Sequence, residues 1–226
     1  MDGPDDESRK LSERAAHVKR LLEAEALRDP SRVTVADVSS RDEQVRRAAV
    51  RALARVAVES SRTLLERALA DDDSEVIAWA AMGLGRICDS TTAEATIRRV
   101  VSRAATRLLV SPPGGSDPTS SALDPWFAMA QALGRCAVPE AERVLRSWMG
   151  VNVELARTAI YGLDYYVKAT QSLDASTIVA LVDAAEKERR LSIALLPLSH
   201  LRALHPLVAK RLVALAPTWL EAGGDE

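Results

Sequence analysis

One apolar pattern recurs along this chain of 226 residues, and its spacing limits the possible fold more than any other feature. The segment SEVIAWAAMGLGRICD, residues 74–89, aligns with an upstream segment when it is shifted back by 31 positions, which places Leu84 on Leu53. A forward shift of 49 positions places Leu84 on Leu133, and a further 30 positions lead to Leu163. Periods of roughly 20 to 50 residues are typical of stacked repeat proteins. We therefore predict that consecutive units cover one another's apolar faces.

The composition indicates that these units are helical. Apolar residues make up 47% of the chain and aromatic residues only 4%, so the apolar content is mainly alanine, leucine and valine. Alanine and leucine are strong helix formers that lose little rotamer freedom in a helix. The predicted fold class is all-α.

The N-terminal part of the chain differs from the repeats. Residues 1–6 are predicted to be a disordered acidic lead, and residues 7–40 to form a cap helix and a degenerate repeat. Apolar residues recur at helical spacing in the cap helix, with charged residues on its other face; they are Leu11, Ala15, Val18 and Leu22. A solenoid needs such a cap to shield its first apolar surface.

Residues 41–222 are predicted to hold the helical repeats, and residues 223–226 a frayed tail. A segment at 110–123, rich in proline, glycine and serine, has little apolar surface to bury and is predicted to be a flexible loop. Its insertion accounts for the longer spacing of 49 residues. The predicted helices span 42–57, 61–70, 74–88, 93–109, 124–137, 139–149, 152–169, 174–187, 189–204 and 206–221.

Small residues share one position of the repeat, namely Ala52, Gly83, Ala132 and Gly162. Glycine inside a helix costs roughly 0.5–1 kcal/mol relative to alanine. Its recurrence at one position therefore predicts that helix backbones approach closely there. The neighbouring Leu84 is predicted to lie deep in the core.

The recurring residues resemble the HEAT-repeat family and the related bilin-lyase-type HEAT-like repeats. They are Val45, Arg46, Ala49 and Leu53; then Val76, Ala80, Leu84, Gly85 and Ile87; then Leu133, Gly134, Gly162 and Leu163. The resemblance implies a short right-handed α-solenoid of about five helical hairpins with an N-terminal capping helix, used for protein–protein contacts. Ile77 replaces the arginine that follows the first valine of a unit, so the charge ladder that this arginine often joins is interrupted.

Two sets of arginines are candidates for binding a partner. Arg55, Arg86 and Arg135 share one repeat position, so stacked units would align them in a row that could grip a carboxylate or phosphate surface. Alternatively, each caps a helix C-terminus or pairs with an acidic turn. The second set, at intervals of four, forms a basic helix face and consists of Arg99, Arg103 and Arg107. The resemblance implies that this helix lines a concave side, where the set would meet an acidic partner; the alternative is a solvated face.

Aromatic residues give a further candidate. Trp79 aligns with Ala48, a position that tolerates small and large side chains, so partial exposure would make it an anchor for a partner. Trp126 and Trp148 are predicted to be packing residues. Tyr161 and Tyr165 share a helix face and form either a binding edge or half-buried core.

Motifs for catalysis and for cofactors or metals are missing from the sequence. It contains no G-x-S-x-G, P-loop or H-E-x-x-H motif, and no cluster of cysteine and histidine. We therefore predict no catalytic residues, no cofactor and no metal. Cys88 and Cys136 are interpreted as small buried apolar residues, and a disulfide between them is not expected. The histidines are assigned no chemistry.

The function predicted from these features is a non-catalytic scaffold that binds another protein with an acidic surface. The alternatives are a nucleic-acid-binding protein of the HEAT-like DNA-repair glycosylase type and a bilin-lyase-type chaperone. A net charge of −2 and a pI near 6.0 disfavour nucleic acid as the partner. Neither a signal peptide nor a long apolar segment is found, so we expect a cytoplasmic protein without membrane contact. It is expected to be monomeric.

Overall fold

The computed structural model describes residues 4–110, 124–188, 196–203 and 206–222. Within these ranges the regular structure is helical and contains no strand, which confirms the predicted all-α class. The α-helices are α1 (Pro4–Ala26), α2 (Val35–Val38), α3 (Glu43–Val56), α4 (Arg62–Ala68), α5 (Ser74–Arg86), α6 (Ala93–Val110), α7 (Pro125–Cys136), α8 (Pro139–Met149), α9 (Val153–Thr170), α10 (Ala175–Glu188) and α11 (Pro206–Ala222). Short 3₁₀ turns lie at Pro30–Arg32 and Glu59–Ser61. The solenoid form stays a prediction.

The helices predicted between residues 42 and 187 are all observed, and their ends differ from the prediction by two residues or fewer. Helix α1 begins at Pro4, inside the segment predicted to be a disordered lead. Half of the helix predicted at 189–204 lies outside the described residues, as do nearly all of the loop at 110–123 and the tail at 223–226. Of its described half, residues 196–198 are helical and residues 199–203 are not.

Capping residues explain where the helices of the best repeats begin and end. Asp42 precedes α3 and its side chain accepts a hydrogen bond from the backbone N–H of Gln44. Asp73 does the same for α5, accepting from the N–H groups of Glu75 and Val76 at 3.0 Å each. Helix α3 ends at Val56, and the next residue, Ala57, adopts the left-handed conformation with φ 51°.

The described residues fall into two compact units. The first comprises Met1–Ile87 and Pro118–Ala128, and so contains α1 to α5 and the start of α7. The second comprises Cys88–Asp117 and Met129–Glu226, and contains α6, the remainder of α7, and α8 to α11.

Each unit is built around fully buried aliphatic side chains. In the first unit α3 packs between α1 and α5, and Leu21, Leu53, Leu65 and Leu84 are 0% exposed. In the second unit α8 packs on α9 and α10, and the fully buried leucines are Leu133, Leu145, Leu155, Leu163 and Leu181. The repeat-equivalent leucines at 53, 84, 133 and 163 are therefore all core residues, as the repeat period predicts.

The predicted close approach of helix backbones is confirmed at two glycines of the shared position. A Cβ added to Gly83 would lie 2.9 Å from the side chain of Leu65 and 3.0 Å from the Cα of Ala54. A Cβ added to Gly162 would lie 2.6 Å from the carbonyl oxygen of Ala130. At Gly162 the obstacle is backbone, so a Cβ would require the helices to shift. At Gly83 the nearest atoms are the terminal methyl groups of Leu65, which could move, but the backbone of Ala54 also leaves little room.

Helix α1 contacts the rest of the first unit through a face other than its predicted apolar stripe. Leu21 and Ala24 are buried, whereas Leu11 is 54% and Leu22 is 42% exposed. Helix α1 also makes polar contacts, from Arg14 to Asp42 and from His17 to Asp37. The predicted helix is therefore observed, but its periodic apolar residues do not identify its buried side.

The structure contradicts one expectation about the cysteines. Cys88 and Cys136 form a disulfide with a Cα–Cα distance of 5.1 Å and a sequence separation of 48 residues. Cys88 lies two residues after the end of α5 and Cys136 is the last residue of α7, and both cysteines belong to the second unit. The expectation was wrong because apolar neighbours along the sequence do not report which helix ends meet in space.

Candidate functional site

The arginines of α3 are neutralised by acidic residues of the first unit. Arg46 donates two hydrogen bonds to Asp71, at 2.8 and 3.2 Å, and Arg47 donates to Asp73 at 2.6 Å. Asp73 also caps α5, and its pKa is lowered because the hydrogen bonds from Arg47 and from the α5 backbone outweigh the effect of burial. These pairs connect α3 to the turn before α5, so they contribute to the packing of consecutive repeats.

Arg55, one of the predicted partner-binding residues, is engaged within the chain. Its Nε lies 3.1 Å from Glu25 Oε1, and Arg51, one turn earlier, lies 2.8 Å from Glu25 Oε2. Glu25 belongs to α1, so a single carboxylate of this helix forms ion pairs with two guanidinium groups of α3. Arg55 itself is 58% exposed.

Arg86 occupies the same repeat position and has a different role. Its Nη1 donates a hydrogen bond of 3.2 Å to the carbonyl oxygen of Ala54, in the last turn of α3. The last carbonyls of a helix have no partner within it. Arg86 therefore caps the neighbouring helix, which is the structural alternative that the sequence left open for this position.

Arg135 occupies the same position in α7 and is stacked on an aromatic ring. Its guanidinium carbon lies 4.8 Å from the centroid of Tyr165, in α9. Helices α7 and α9 are very close here, since a Cβ added to Gly134 would lie 2.0 Å from the carbonyl oxygen of Gly162. This approach places the exposed Arg135 over the half-buried ring.

Two further residues of α9, Lys168 and Tyr161, lie next to Tyr165. Lys168 Nζ lies 5.6 Å from the same ring and 2.6 Å from Asp164 Oδ2, and Asp164 is 3% exposed. The hydroxyl groups of Tyr161 and Tyr165 are 3.3 Å apart. Burial, followed by the hydrogen bond with Tyr165, raises the pKa of Tyr161 to about 12. Tyr161, Tyr165 and Lys168 follow one another at intervals of four and three, so they lie on one face of α9.

The arginines of α6 do not all lie on the surface. Arg99 is exposed, Arg103 is half-buried and Arg107 is only 9% exposed. Each interval of four residues turns a side chain about 40° around the helix. The row therefore spirals from solvent toward the buried face, which holds Ala93, Ile97, Val100 and Ala104. The structure gives α6 a basic edge at Arg99 and Arg103, with the third arginine inside.

The structure shows how far three of the tryptophans are buried. Trp126 and Trp148 are buried. Trp79 is half-buried, and its indole N–H donates to Glu75 Oε1 at 3.3 Å on the preceding turn of α5. The partial exposure predicted for Trp79 is thus observed, although its polar atom is already paired.

Both described histidines contact a buried aspartate, a pattern that the sequence analysis missed. His17 and Arg20 of α1 contact Asp37, which also closes the capping box of α2 with Thr34. His200 Nε2 lies 3.3 Å from Asp164 Oδ1. Spacing within one helix could not reveal these pairs, because each joins two separate elements.

An open polar pocket of about 350 Å³ lies in the first unit, next to the pair formed by Arg46 and Asp71. It is also lined by Ser39, Arg67 and Asp72, and none of the predicted partner-binding residues reaches it. In the part of the chain that the structure describes, no group of three histidine, cysteine, aspartate or glutamate residues is placed to hold a metal ion. Among the helices described, none has the length and apolar character needed to cross a bilayer.

Comparison with known families identifies the region that contains α3 to α6. A family model described as HEAT repeats matches residues 32–107, about a third of the chain. A search of curated proteins found no match. The matched region includes the arginine pairs of α3, the buried leucines at 53 and 84, and the basic edge of α6. Residues 32–107 are therefore similar to HEAT repeats.

Proposed function

We propose that this protein is a non-catalytic scaffold that binds another protein through its helical repeats. The observation that carries the proposal is the HEAT-repeat match over residues 32–107. Stacked helical repeats present extended surfaces to partners, and members of this family commonly serve as interaction scaffolds.

The basic edge of α6, formed by Arg99 and Arg103, is the contact surface that we assign to this function. Glu94 is the only acidic residue between Ala93 and Val110, and it pairs with Arg98 at 2.7 Å. The sequence of α6 therefore has more basic than acidic side chains, which favours a partner with an acidic surface.

The experiment is a quantitative co-purification in which α6 alone is altered. Arg99→Glu and Arg103→Glu are combined, and Arg107 is left unchanged because a carboxylate at this buried position would unfold the helix. The matched control is Arg98→Glu, an exposed arginine on the same helix. We expect proteins that bind the wild type and the control to be lost from the double variant, and to re-form a binary complex when purified. Equal capture by all three forms would refute α6 as the surface.

Nucleic acid is the alternative that this experiment must separate. Incubation of the wild type with labelled duplex DNA at 50 and 200 mM salt supplies the comparison, since binding to phosphates weakens steeply as salt increases. Salt-dependent binding that disappears in the double variant would assign α6 to nucleic acid instead of protein. The bilin-lyase-type alternative rests on the repeat resemblance alone, and absorbance of the purified chain with a bilin-bearing protein would test it.

We further propose that the protein is cytoplasmic and monomeric. The disulfide provides a test of the cytoplasmic location. Disulfides are rare in a reducing cytosol. Alkylation of thiols in intact cells, followed by mass spectrometry, would show Cys88 and Cys136 in reduced form if the protein is cytoplasmic. An oxidised pair in cells would place it in an oxidising compartment.

A further inference from the structure

We propose that Arg135, Tyr161, Tyr165 and Lys168, called here the Arg135 cluster, bind a glutamate or aspartate side chain in an acidic segment of a partner protein. This inference rests on the proposed role in protein binding. It places a second contact on α7 and α9, separate from the edge of α6.

The first argument is the geometry of the donors. Arg135 and Lys168 lie 4.8 and 5.6 Å from the centroid of one ring, that of Tyr165. A guanidinium that stacks on a ring keeps its N–H donors in its own plane, where they match the two oxygens of a carboxylate. The hydroxyl groups of Tyr161 and Tyr165 are polar groups at the same place. The cluster thus combines two cations and two hydroxyl groups on a surface.

The second argument comes from the repeat itself. Arg55 and Arg135 occupy the same repeat position, and Arg55 binds the carboxylate of Glu25 at 3.1 Å. Glu25 is supplied by α1, the helix that packs against α3. Among the described residues no carboxylate lies within 4.0 Å of Arg135. Arg55 shows that an arginine at this repeat position can bind a carboxylate. At Arg135 we infer that a partner protein supplies the carboxylate.

The third argument is the charge of the cluster. The acidic residue that contacts the cluster, Asp164, is buried and lies 2.6 Å from Lys168 and 3.3 Å from His200. Arg135, Lys168 and Asp164 together, two cations and one carboxylate, carry one net positive charge. A single carboxylate balances this charge, whereas a phosphate dianion would leave negative charge in excess.

The cluster is also held rigidly, which lowers the cost of binding. Backbone contact between Gly134 and Gly162 fixes α7 against α9 directly beside Arg135 and Tyr165. Stacking on the ring further restricts the guanidinium. Groups that are ordered before binding lose less conformational entropy when the partner arrives.

Fluorescence anisotropy with short labelled peptides tests the inference on the full chain. The probes are a peptide with four glutamates, the same peptide with four glutamines, and a peptide with two phosphoserines, which has the same formal charge as the first. We expect the glutamate peptide to bind most tightly. Arg135→Gln should weaken it about tenfold, as expected for a lost charge-assisted hydrogen bond. The matched control is Arg143→Gln, an exposed arginine of α8 that pairs with Glu140.

The outcomes separate this inference from the proposed function. Arg135→Gln is the cleaner variant, because Lys168 also pairs with the buried Asp164; thermal unfolding verifies that it folds. Equal binding of the glutamine peptide, or of the wild type and Arg135→Gln, would overturn the inference, and tighter binding of the phosphoserine peptide would overturn the carboxylate assignment. Peptide binding that survives the combined Arg99→Glu and Arg103→Glu changes supports two separate surfaces. Failure of the co-purification alone would refute α6 and leave the Arg135 cluster standing.

Discussion

At the scale of single residues, buried carboxylates connect elements that are distant in sequence. Asp37 is 1% exposed and accepts hydrogen bonds from the backbone N–H and the hydroxyl of Thr34 at 2.7 and 2.8 Å. It also contacts His17 and Arg20 of α1. Burial alone would raise the pKa of Asp37, but these hydrogen bonds outweigh it and the pKa is lowered. The ionised side chain thus holds the cap helix onto the repeats.

We predict that Asp37→Asn destabilises the protein by about 2–3 kcal/mol at pH 7, because the amide cannot replace the charge-assisted hydrogen bonds. Urea unfolding measures the change. Asp29→Asn serves as a control, since Asp29 is a more exposed aspartate whose contacts are local, to Ser31 and Arg32. A loss of stability no larger than that of the control would contradict the role assigned to Asp37.

The contacts of individual side chains were harder to predict from the sequence than the helices or the core. The period correctly aligned Arg55, Arg86 and Arg135, yet the three have different partners: a carboxylate, a backbone carbonyl and an aromatic ring. Each partner lies on another helix, and the repeat units differ at those positions. Sequence spacing reports which residues share a face of one helix, but it does not report what packs against that face.

At the scale of elements, glycines set how closely the helices pack. A Cβ on Gly134 would lie 2.0 Å from the carbonyl oxygen of Gly162, so α7 and α9 would have to separate. We predict that Gly134→Ala costs about 1–3 kcal/mol or more through overpacking, despite the better helix propensity of alanine. Chemical denaturation checks this value.

Gly150→Ala is the matched control for that change. A Cβ there would meet only Ser147 at 3.7 Å, an ordinary contact, and Gly150 has φ −85°. We expect unchanged or slightly higher stability for Gly150→Ala. Equal stability of the two variants would show that the contact between α7 and α9 is looser than described. If Gly134→Ala does separate these helices, it should also weaken binding of the glutamate peptide to the Arg135 cluster.

The disulfide stabilises the second unit because it restricts the conformations of the unfolded chain. It joins residues 48 positions apart, a closure that typically contributes about 2–4 kcal/mol. We predict that reduction lowers the melting temperature of the wild type. It should leave unchanged a variant in which Cys88→Ser and Cys136→Ser are combined. Thiol titration of the oxidised, denatured protein should detect no free cysteine, and two reactive thiols would mean that the bond does not form.

At the scale of the whole molecule, the sequence predicted helices and core far better than surfaces. Period and capping residues located eight helices to within two residues, and the leucines at 53, 84, 133 and 163 are all buried. These features depend on local propensity and on apolar burial, which a periodic sequence encodes directly. The face of α1 that packs and the burial of Arg107 depend on how neighbouring helices are placed, so helical spacing alone predicted them incorrectly.

The same network of paired carboxylates should determine how the protein responds to acid. The pKa is lowered for several aspartates of both units, namely Asp29, Asp37, Asp42, Asp73, Asp89 and Asp174. For Asp89 it falls to about 2, mainly because the side chains of Thr91 and Thr92 donate hydrogen bonds to its carboxylate. A lowered pKa means that the folded protein binds fewer protons than the unfolded chain below the ordinary value of 3.8. Stability should therefore be steady from neutral pH to about pH 5, and fall as the pH drops through 4 and 3. Urea unfolding at pH 7, 5 and 3 in constant salt measures this decline, and Asp37→Asn should show a shallower one because it has lost a contributing carboxylate. Stability that rises between pH 5 and pH 3 would mean that these aspartates are protonated more readily in the folded protein than in the unfolded chain.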